Sequence, residues 1–364
     1  MTIKISDLIK QRNNGLTITR LLLSFCVTLS HSYPLAGFTN EIGGYLTSGQ
    51  DSLGSFAVKS FMAISGLLIT PSFYRNQIKD FFAKRVLRIF PGFWFCILLT
   101  VFIFIPIIDY QEDHIFSISV QEKINYLLNN LFLECRQFGI TGILNHVPYP
   151  YAINGSLWTL YPEFKGYIFI AIMGSLALLE KSFFTIFGFF ILLVIYLFES
   201  RNPGSTLSMS QMLSPVGLNW PDSSTLQLAI YLMSGIIIYH FSQKIYISKI
   251  GYITSFSIFV VSIYFHIYTY VQPFILLYFI LCFSYYLPER IKNLGNYGDL
   301  SYGYYLYSFP LQQILSVLEL QRYGFLVYNL LTFACVFPLA IISWFLIENP
   351  SLKFSKFCTQ DSRT

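Results

Sequence analysis

The sequence predicts an all-α integral membrane protein, a polytopic bundle of about ten transmembrane helices. Three observations lead there. Hydrophobic residues make up 54% of the 364, and 19% are aromatic, with 37 Phe and 27 Tyr. Charged residues make up only 11%, against roughly 25% in a soluble domain. So little charge cannot coat a water-facing surface, and so much apolar surface excludes disorder. The apolar residues also form solid runs, such as Phe184–Phe198 and Ile253–Tyr268. A membrane barrel would instead show short alternating segments. Finally, at about 20 residues per helix to cross ~30 Å of hydrocarbon, the chain has room for about ten spans and little else.

Taken in order, the spans are expected at 17–34, 56–72, 90–108, 162–180, 183–199, 226–242, 250–268, 273–287, 301–318 and 325–347. The first has the basic start and apolar core of a signal peptide, but the all-membrane remainder favours a retained helix. The second contains Lys59, Ser65 and Gly66 and ends at Pro71. It is expected to be interrupted and to line a cavity. With a cytoplasmic N-terminus and alternating spans, 16 Lys and Arg fall on the inner face, 4 on the outer face and 3 within spans. That asymmetry obeys the positive-inside rule and places both termini in the cytoplasm. It also accounts for the net charge of +5 without a nucleic-acid partner. Two long outer connections follow, 109–161 with Asp109, Glu112, Asp113, His114 and His146, and the Ser, Pro and Gly-rich 200–225. Long loops in a compact membrane protein are often functional. Residues 1–350 form one membrane domain, and 351–364 a short cytoplasmic tail. No internal repeat supports an inverted-repeat transporter. The six cysteines contain no CxxC pair, which gives neither a metal site nor a disulfide framework.

Ionisable groups inside spans are costly and mark function. Arg20 and His31 lie 11 residues apart on the first span. At about 100° per residue they share one face, separated by about 16 Å along the axis. That face carries a fixed positive charge near the inner end and, near the outer end, a base that can be neutral near pH 7. The bland alternative has Arg20 snorkelling to phosphate and His31 at the interface. Arg85 and Arg88, three apart at the inner mouth of the third span, share a face. They can grip phosphate bidentately or simply mark topology. In Asn154-Gly155-Ser156-Leu157-Trp158-Thr159-Leu160-Tyr161-Pro162-Glu163, Pro162 suits a first helical turn and Glu163 the positive end of the helix dipole. Glu163 either caps that helix, pairs with Lys165, or meets His31 or an acceptor hydroxyl. The first three residues also fit a glycosylation sequon. No HExxH, Walker loop, GxGxxG or GxSxG occurs.

In this order the pieces resemble the membrane-bound acyltransferase family (type-three acyltransferases) that O-acetylates bacterial surface sugars. Arg20 and His31 match its Arg-x10-His, and Phe61-Met62-Ala63-Ile64-Ser65-Gly66-Leu67-Leu68-Ile69 resembles its Ser-Gly segment. Arg85-Val86-Leu87-Arg88-Ile89-Phe90-Pro91 matches Arg-x-x-Arg-Ile-x-Pro, and Leu157-Trp158-Thr159-Leu160 with Glu163 matches Trp-Ser-Leu-x-x-Glu. Ser301-Tyr302-Gly303-Tyr304-Tyr305-Leu306-Tyr307-Ser308-Phe309-Pro310 resembles the ninth-span signature, and Glu348-Asn349-Pro350 the Glu-x-Pro ending. Lys59 and Gly166 depart from the family pattern at positions expected to bear on acyl or acceptor preference.

The resemblance implies a multi-pass protein of the inner (plasma) membrane with a central tunnel for acyl-CoA, most simply acetyl-CoA. The donor would enter from the cytoplasm, and the acceptor would be a hydroxyl of a surface or lipid-linked carbohydrate, such as lipopolysaccharide or exopolysaccharide. His31 and Glu163 become the catalytic pair. Arg20, Ser65, Gly66, Arg85 and Arg88 become donor contacts, and Trp158, Tyr302 and Tyr307 acceptor contacts. No metal is implied, and with only about 14 residues after Pro350, transfer is expected to finish in the membrane domain. The rival reading is a polytopic transporter or flippase of a glycan or other anionic substrate, using the same cavity without consuming acyl-CoA. The oligomeric state stays open.

Overall fold

The structure, a computed structural model, describes residues 2–112, 118–201 and 223–360. Asp113, His114, most of the 200–225 connection and the last four residues of the expected tail lie outside them. A helix lies in each of the ten expected stretches: α1 Leu16–Ala36, α2 Leu53–Tyr74, α3 Ile78–Gln111, α4 Leu160–Ser175, α5 Ser182–Arg201, α6 Ser223–Phe241, α7 Lys249–Tyr264, α8 Tyr268–Tyr286, α9 Ser301–Val317 and α10 Phe325–Ser343. Of these, α4 stops at Ser175 rather than 180 and α7 at Tyr264 rather than 268. Six helices among the described residues are long and apolar enough to cross a bilayer, namely α2, α3, α5, α6, α8 and the run from Phe325 to Phe354, while α7 is shorter. The chain is thus an all-α membrane protein. The only described strands, β1 Ile3–Lys4 and β2 Tyr246–Ile247, pair antiparallel.

Two helices are longer than expected. α3 starts at Ile78, so Arg85 and Arg88 lie inside it, and it widens into a π turn at Thr100–Phe104. α10 passes through a second π turn, Trp344–Glu348, into a helix over Asn349–Gln360, where the sequence promised only a tail. π turns of this kind often mark functional sites.

The residues form two compact units. The first comprises Met1–Asn14, Val58–Ile78 and Pro162–Tyr286. Within it α6 packs on α5 and on α8, and α7 packs on α8. The expected break in α2 is absent: the helix runs unbroken through Ser65, Gly66 and Pro71. Gly66 instead permits a close crossing. A Cβ there would overlap the Leu232 carbonyl oxygen and lie 3.2 Å from the Gly235 Cα, while a Cβ on Gly235 would overlap the Ala63 carbonyl oxygen. Small residues let membrane helices approach backbone to backbone, so in this structure Gly66 serves the contact between α2 and α6.

The second unit comprises Gly15–Ala57, Lys79–Tyr161 and Leu287–Thr364. Its centre is α9, buried almost all round although it carries Gln312, Gln313 and Ser316, each of which finds a hydrogen-bond partner. α9 lies beside α1 and runs in the same direction. Phe25 meets Tyr304 at 4.6 Å between ring centres, the Gln312 amide donates to the Thr28 carbonyl at 2.9 Å, and the Ser316 hydroxyl donates to the Leu35 carbonyl at 2.7 Å.

Gly66→Val is expected to destabilise the first unit by about 1–3 kcal/mol, the usual cost of overpacking. The check is a lower unfolding temperature of the detergent-solubilised protein. An unchanged temperature would show that α2 and α6 are free to part.

Candidate functional site

Arg20 and His31 share a face of α1, as their spacing requires, but they differ in what they touch. The Arg20 Nη1 donates to Asp299 Oδ2 at 2.6 Å, and the Arg88 Nη2 donates to the same oxygen, also at 2.6 Å. Oδ1 accepts from the Ser301 hydroxyl at 2.5 Å and from the Ser301 backbone N–H at 3.3 Å. Arg88 also lies 3.7 Å from Glu348 and faces the rings of Tyr302 and Trp344 at 5.8 and 5.9 Å. The arginines read as donor contacts are therefore joined through a carboxylate that sequence reasoning did not single out. Arg85, one turn earlier, lies over Phe81 at 5.9 Å.

Asp299 lies just ahead of α9. Burial pushes its carboxyl up, but the Arg20 and Arg88 guanidinium groups outweigh burial and hold it down at about 2.

Tyr302 and Tyr307 of α9 both have internal partners. The Tyr302 hydroxyl donates to the Ile89 carbonyl at 2.8 Å. Tyr307, fully buried, donates to the Ser343 hydroxyl at 3.1 Å, which donates in turn to Glu348 Oε1 at 2.8 Å.

His31 is the counter-example. Its Nδ1 is buried without a hydrogen-bond partner, and neither ring nitrogen bonds to a described residue of this unit. The imidazole is half-buried and meets Phe309 edge-on at 5.3 Å. Phe309 is held in turn by Gly155, where a Cβ would come within 2.7 Å of its ring. Asn154 fixes this loop. It is fully buried, donates to the Leu306 carbonyl at 3.0 Å and accepts from the Ser156 N–H at 3.1 Å. The apparent sequon is thus a structural turn, since a buried asparagine offers nothing to a glycosylating enzyme. Trp158, on the short helical turn Gly155–Thr159, is 37% exposed.

Glu163 belongs to the first unit, in the first turn of α4 as expected. Its Oε1 accepts from the Ser65 hydroxyl of α2 at 3.0 Å and from the Tyr167 hydroxyl in a short contact. These, and not Lys165, are its partners. Oε2 bonds to no described residue of this unit, so the carboxylate is pinned at one oxygen and open at the other. Gly166 lines a mostly apolar cavity of about 180 Å³ with Met62, Pro162, Lys165 and Phe169, and a Cβ there would come within 2.8 Å of Leu232. Lys59 is buried. Its ammonium donates to Gln272 Oε1 at 3.3 Å, an oxygen that also accepts from the Tyr231 hydroxyl at 2.7 Å, while the Gln272 amide donates to Tyr268 at 3.0 Å. No cluster of His, Cys, Asp and Glu among the described residues is arranged to hold a metal.

Because the Asp299 carboxyl is held below its ordinary value of 3.8, its ion pairs stabilise the fold fully above about pH 4. That contribution, about 2 kcal/mol, fades as the pH falls from there to about 2. Solubilised protein is expected to lose thermal stability across that window. Asp299→Asn should be less stable at neutral pH and should lack this component of the acid response.

Comparison with known proteins bears on what such a site does. A family model described as an acyltransferase domain matches residues 13–348. An O-acetyl transferase of Shigella phage Sf6 is 31% identical over 347 residues, which is 93% of this chain and 95% of that protein. No solved structure matches. The motifs from Arg20 to Glu348 therefore lie in a recognised domain nearly as long as the chain itself, and the chain belongs to this family of membrane acyltransferases.

Proposed function

We propose that this acyltransferase moves an acyl group, most simply acetyl, from cytoplasmic acyl-CoA to a hydroxyl of a surface or lipid-linked carbohydrate on the far side of the inner membrane. The observation that carries this reading is His31, an imidazole inside a membrane helix with both nitrogens left open within its unit. A neutral imidazole so placed serves as general base toward a hydroxyl, typically worth 10²–10⁴-fold in rate.

In the reaction that follows, His31 takes the proton of the acceptor hydroxyl as that oxygen attacks the thioester carbonyl. The carbon–sulfur bond then breaks, and the imidazolium returns its proton to the leaving thiolate. Transfer is direct, without an acyl-enzyme. The carboxylate of Glu163, held by Ser65 and Tyr167 through Oε1, keeps a fixed direction and offers Oε2 as a hydrogen-bond acceptor. Ser65 thus acts through Glu163 in this scheme. The donor's phosphates stay at the inner face with Arg20, Arg85 and Arg88, because they cannot enter hydrocarbon unpaired, while its slender pantetheine arm follows a tunnel along α1. Trp158, exposed beside the entry to α4, contributes a sugar-facing surface. Positive-inside topology supports cytoplasmic termini. Family membership favours transfer over transport, and the basic pair of α3 has an anionic donor to hold.

In membranes supplied with labelled acetyl-CoA, His31→Ala is expected to abolish O-acetylation at unchanged expression. Normal sugar acetylation by that variant would refute the assigned role. Glu163→Gln should lower kcat at least ~10-fold, with little change in the donor KM. Arg85→Ala should mainly raise the donor KM, and a pure kcat loss would argue against phosphate binding.

A further inference from the structure

We propose that Asp299 is the positioning residue of the donor site, holding Arg20 of α1 against the anchored Arg88 of α3 on a single carboxylate oxygen so that Arg20 presents its free edge to the phosphates of acyl-CoA. This rests on the acyl-CoA reading above and assigns a role to a residue that none of the sequence motifs contains.

The geometry separates the parts. Both guanidinium groups reach the same Oδ2 at 2.6 Å, so their terminal nitrogens are held within two hydrogen-bond lengths of each other. Two like charges that close repel, the more so where they are partly withdrawn from water, and the carboxylate between them offsets that repulsion. The carboxylate cannot swing away, because its other oxygen is tied to the hydroxyl and backbone of Ser301. Arg88 is enclosed on its remaining sides by Tyr302, Trp344 and Glu348. Arg20 is not. It meets Asp299 through Nη1, its side chain is 28% exposed, and a guanidinium carries five N–H donors. Its remaining donors bond to no described residue of the unit. Asp299 therefore holds Arg20 by one edge and leaves the other to a ligand, with Arg88 as the fixed anchor. Without the carboxylate, Arg20 is expected to turn away toward lipid phosphate, as a long cationic side chain at a membrane interface does.

The test uses the purified full chain in detergent, with CoA titrated by calorimetry and transfer followed with two donors, acetyl-CoA and phosphate-free S-acetyl-pantetheine. Asp299→Asn is expected to weaken CoA binding and raise the acetyl-CoA KM by about tenfold or more, the scale of a lost charge-assisted contact. The KM for S-acetyl-pantetheine should stay unchanged, and Asp299→Glu should recover part of the loss. Ser301→Ala keeps the charge but frees one oxygen, and should shift CoA affinity in the same direction by a smaller factor. It serves as the deciding variant if Asp299→Asn does not fold. Unchanged or tighter CoA binding in a folded Asp299→Asn, or unchanged binding in Ser301→Ala where the first variant fails, would overturn the inference. So would an equal loss with both donors, which marks a structural role. Wild-type protein that binds no CoA would instead refute the donor reading, and this inference with it.

Discussion

A charge largely withdrawn from water needs a partner, and in the second unit Asp299 serves as one for both Arg20 and Arg88. In water, two arginines on one carboxylate would contribute little, because each is well solvated alone. Where the groups are largely withdrawn from water the balance changes: taking one partner away leaves a charge uncompensated, at a cost that reaches about 3–5 kcal/mol only where burial is complete. α1, α3 and the turn just ahead of α9 are therefore tied together, since each supplies one member of the pair of salt bridges. The chain from Tyr307 through Ser343 to Glu348 extends the same logic to α10 and the π turn that follows it. In the first unit, the knot of Lys59, Gln272, Tyr231 and Tyr268 ties α2, α6 and α8 in a comparable way.

Against this background the unsatisfied groups carry information. Gln312, Gln313 and Asn329 each leave an amide oxygen unpaired but donate through their nitrogens, so each still ties two helices or a helix and a loop. His31 makes no such tie. A histidine kept only for packing could be replaced by an apolar residue without the cost of desolvating an imidazole. Glu163 is intermediate, with one oxygen held and the other left open. A carboxylate anchored this way keeps its direction while still offering an acceptor.

The sequence revealed what depends on periodicity and length. The helical, apolar character of the chain, the shared face of Arg20 and His31, and the first-turn position of Glu163 all follow from local rules. It failed where partners come from far along the chain. Asp299 lies 279 residues from Arg20 and 211 from Arg88, and its own neighbourhood, Tyr297-Gly298-Asp299-Leu300, reads as an ordinary polar turn. Gly66 misled in the opposite direction. A glycine followed by a proline within one span suggests a break, yet whether it breaks a helix or admits a neighbour depends on what lies opposite, here Leu232 and Gly235.

The pairing of α1 with α9 also bears on selectivity. Arg20 meets Asp299, Phe25 meets Tyr304, His31 meets Phe309 and Leu35 meets Ser316, so two helices running in parallel are in contact from the charge to the base and beyond. α1 has no break between Arg20 and His31, and an α-helix of that length is stiff, with a rise of about 1.5 Å per residue. The separation of charge and base is therefore fixed by the backbone. On the acyl-CoA reading, that separation measures the arm between phosphate and thioester, which every acyl-CoA shares whatever its acyl group. The frame that places the donor is then indifferent to the acyl chain, and discrimination must come from the walls beyond His31. On that reading Phe309, edge-on to the imidazole and packed against Gly155, would be one such wall.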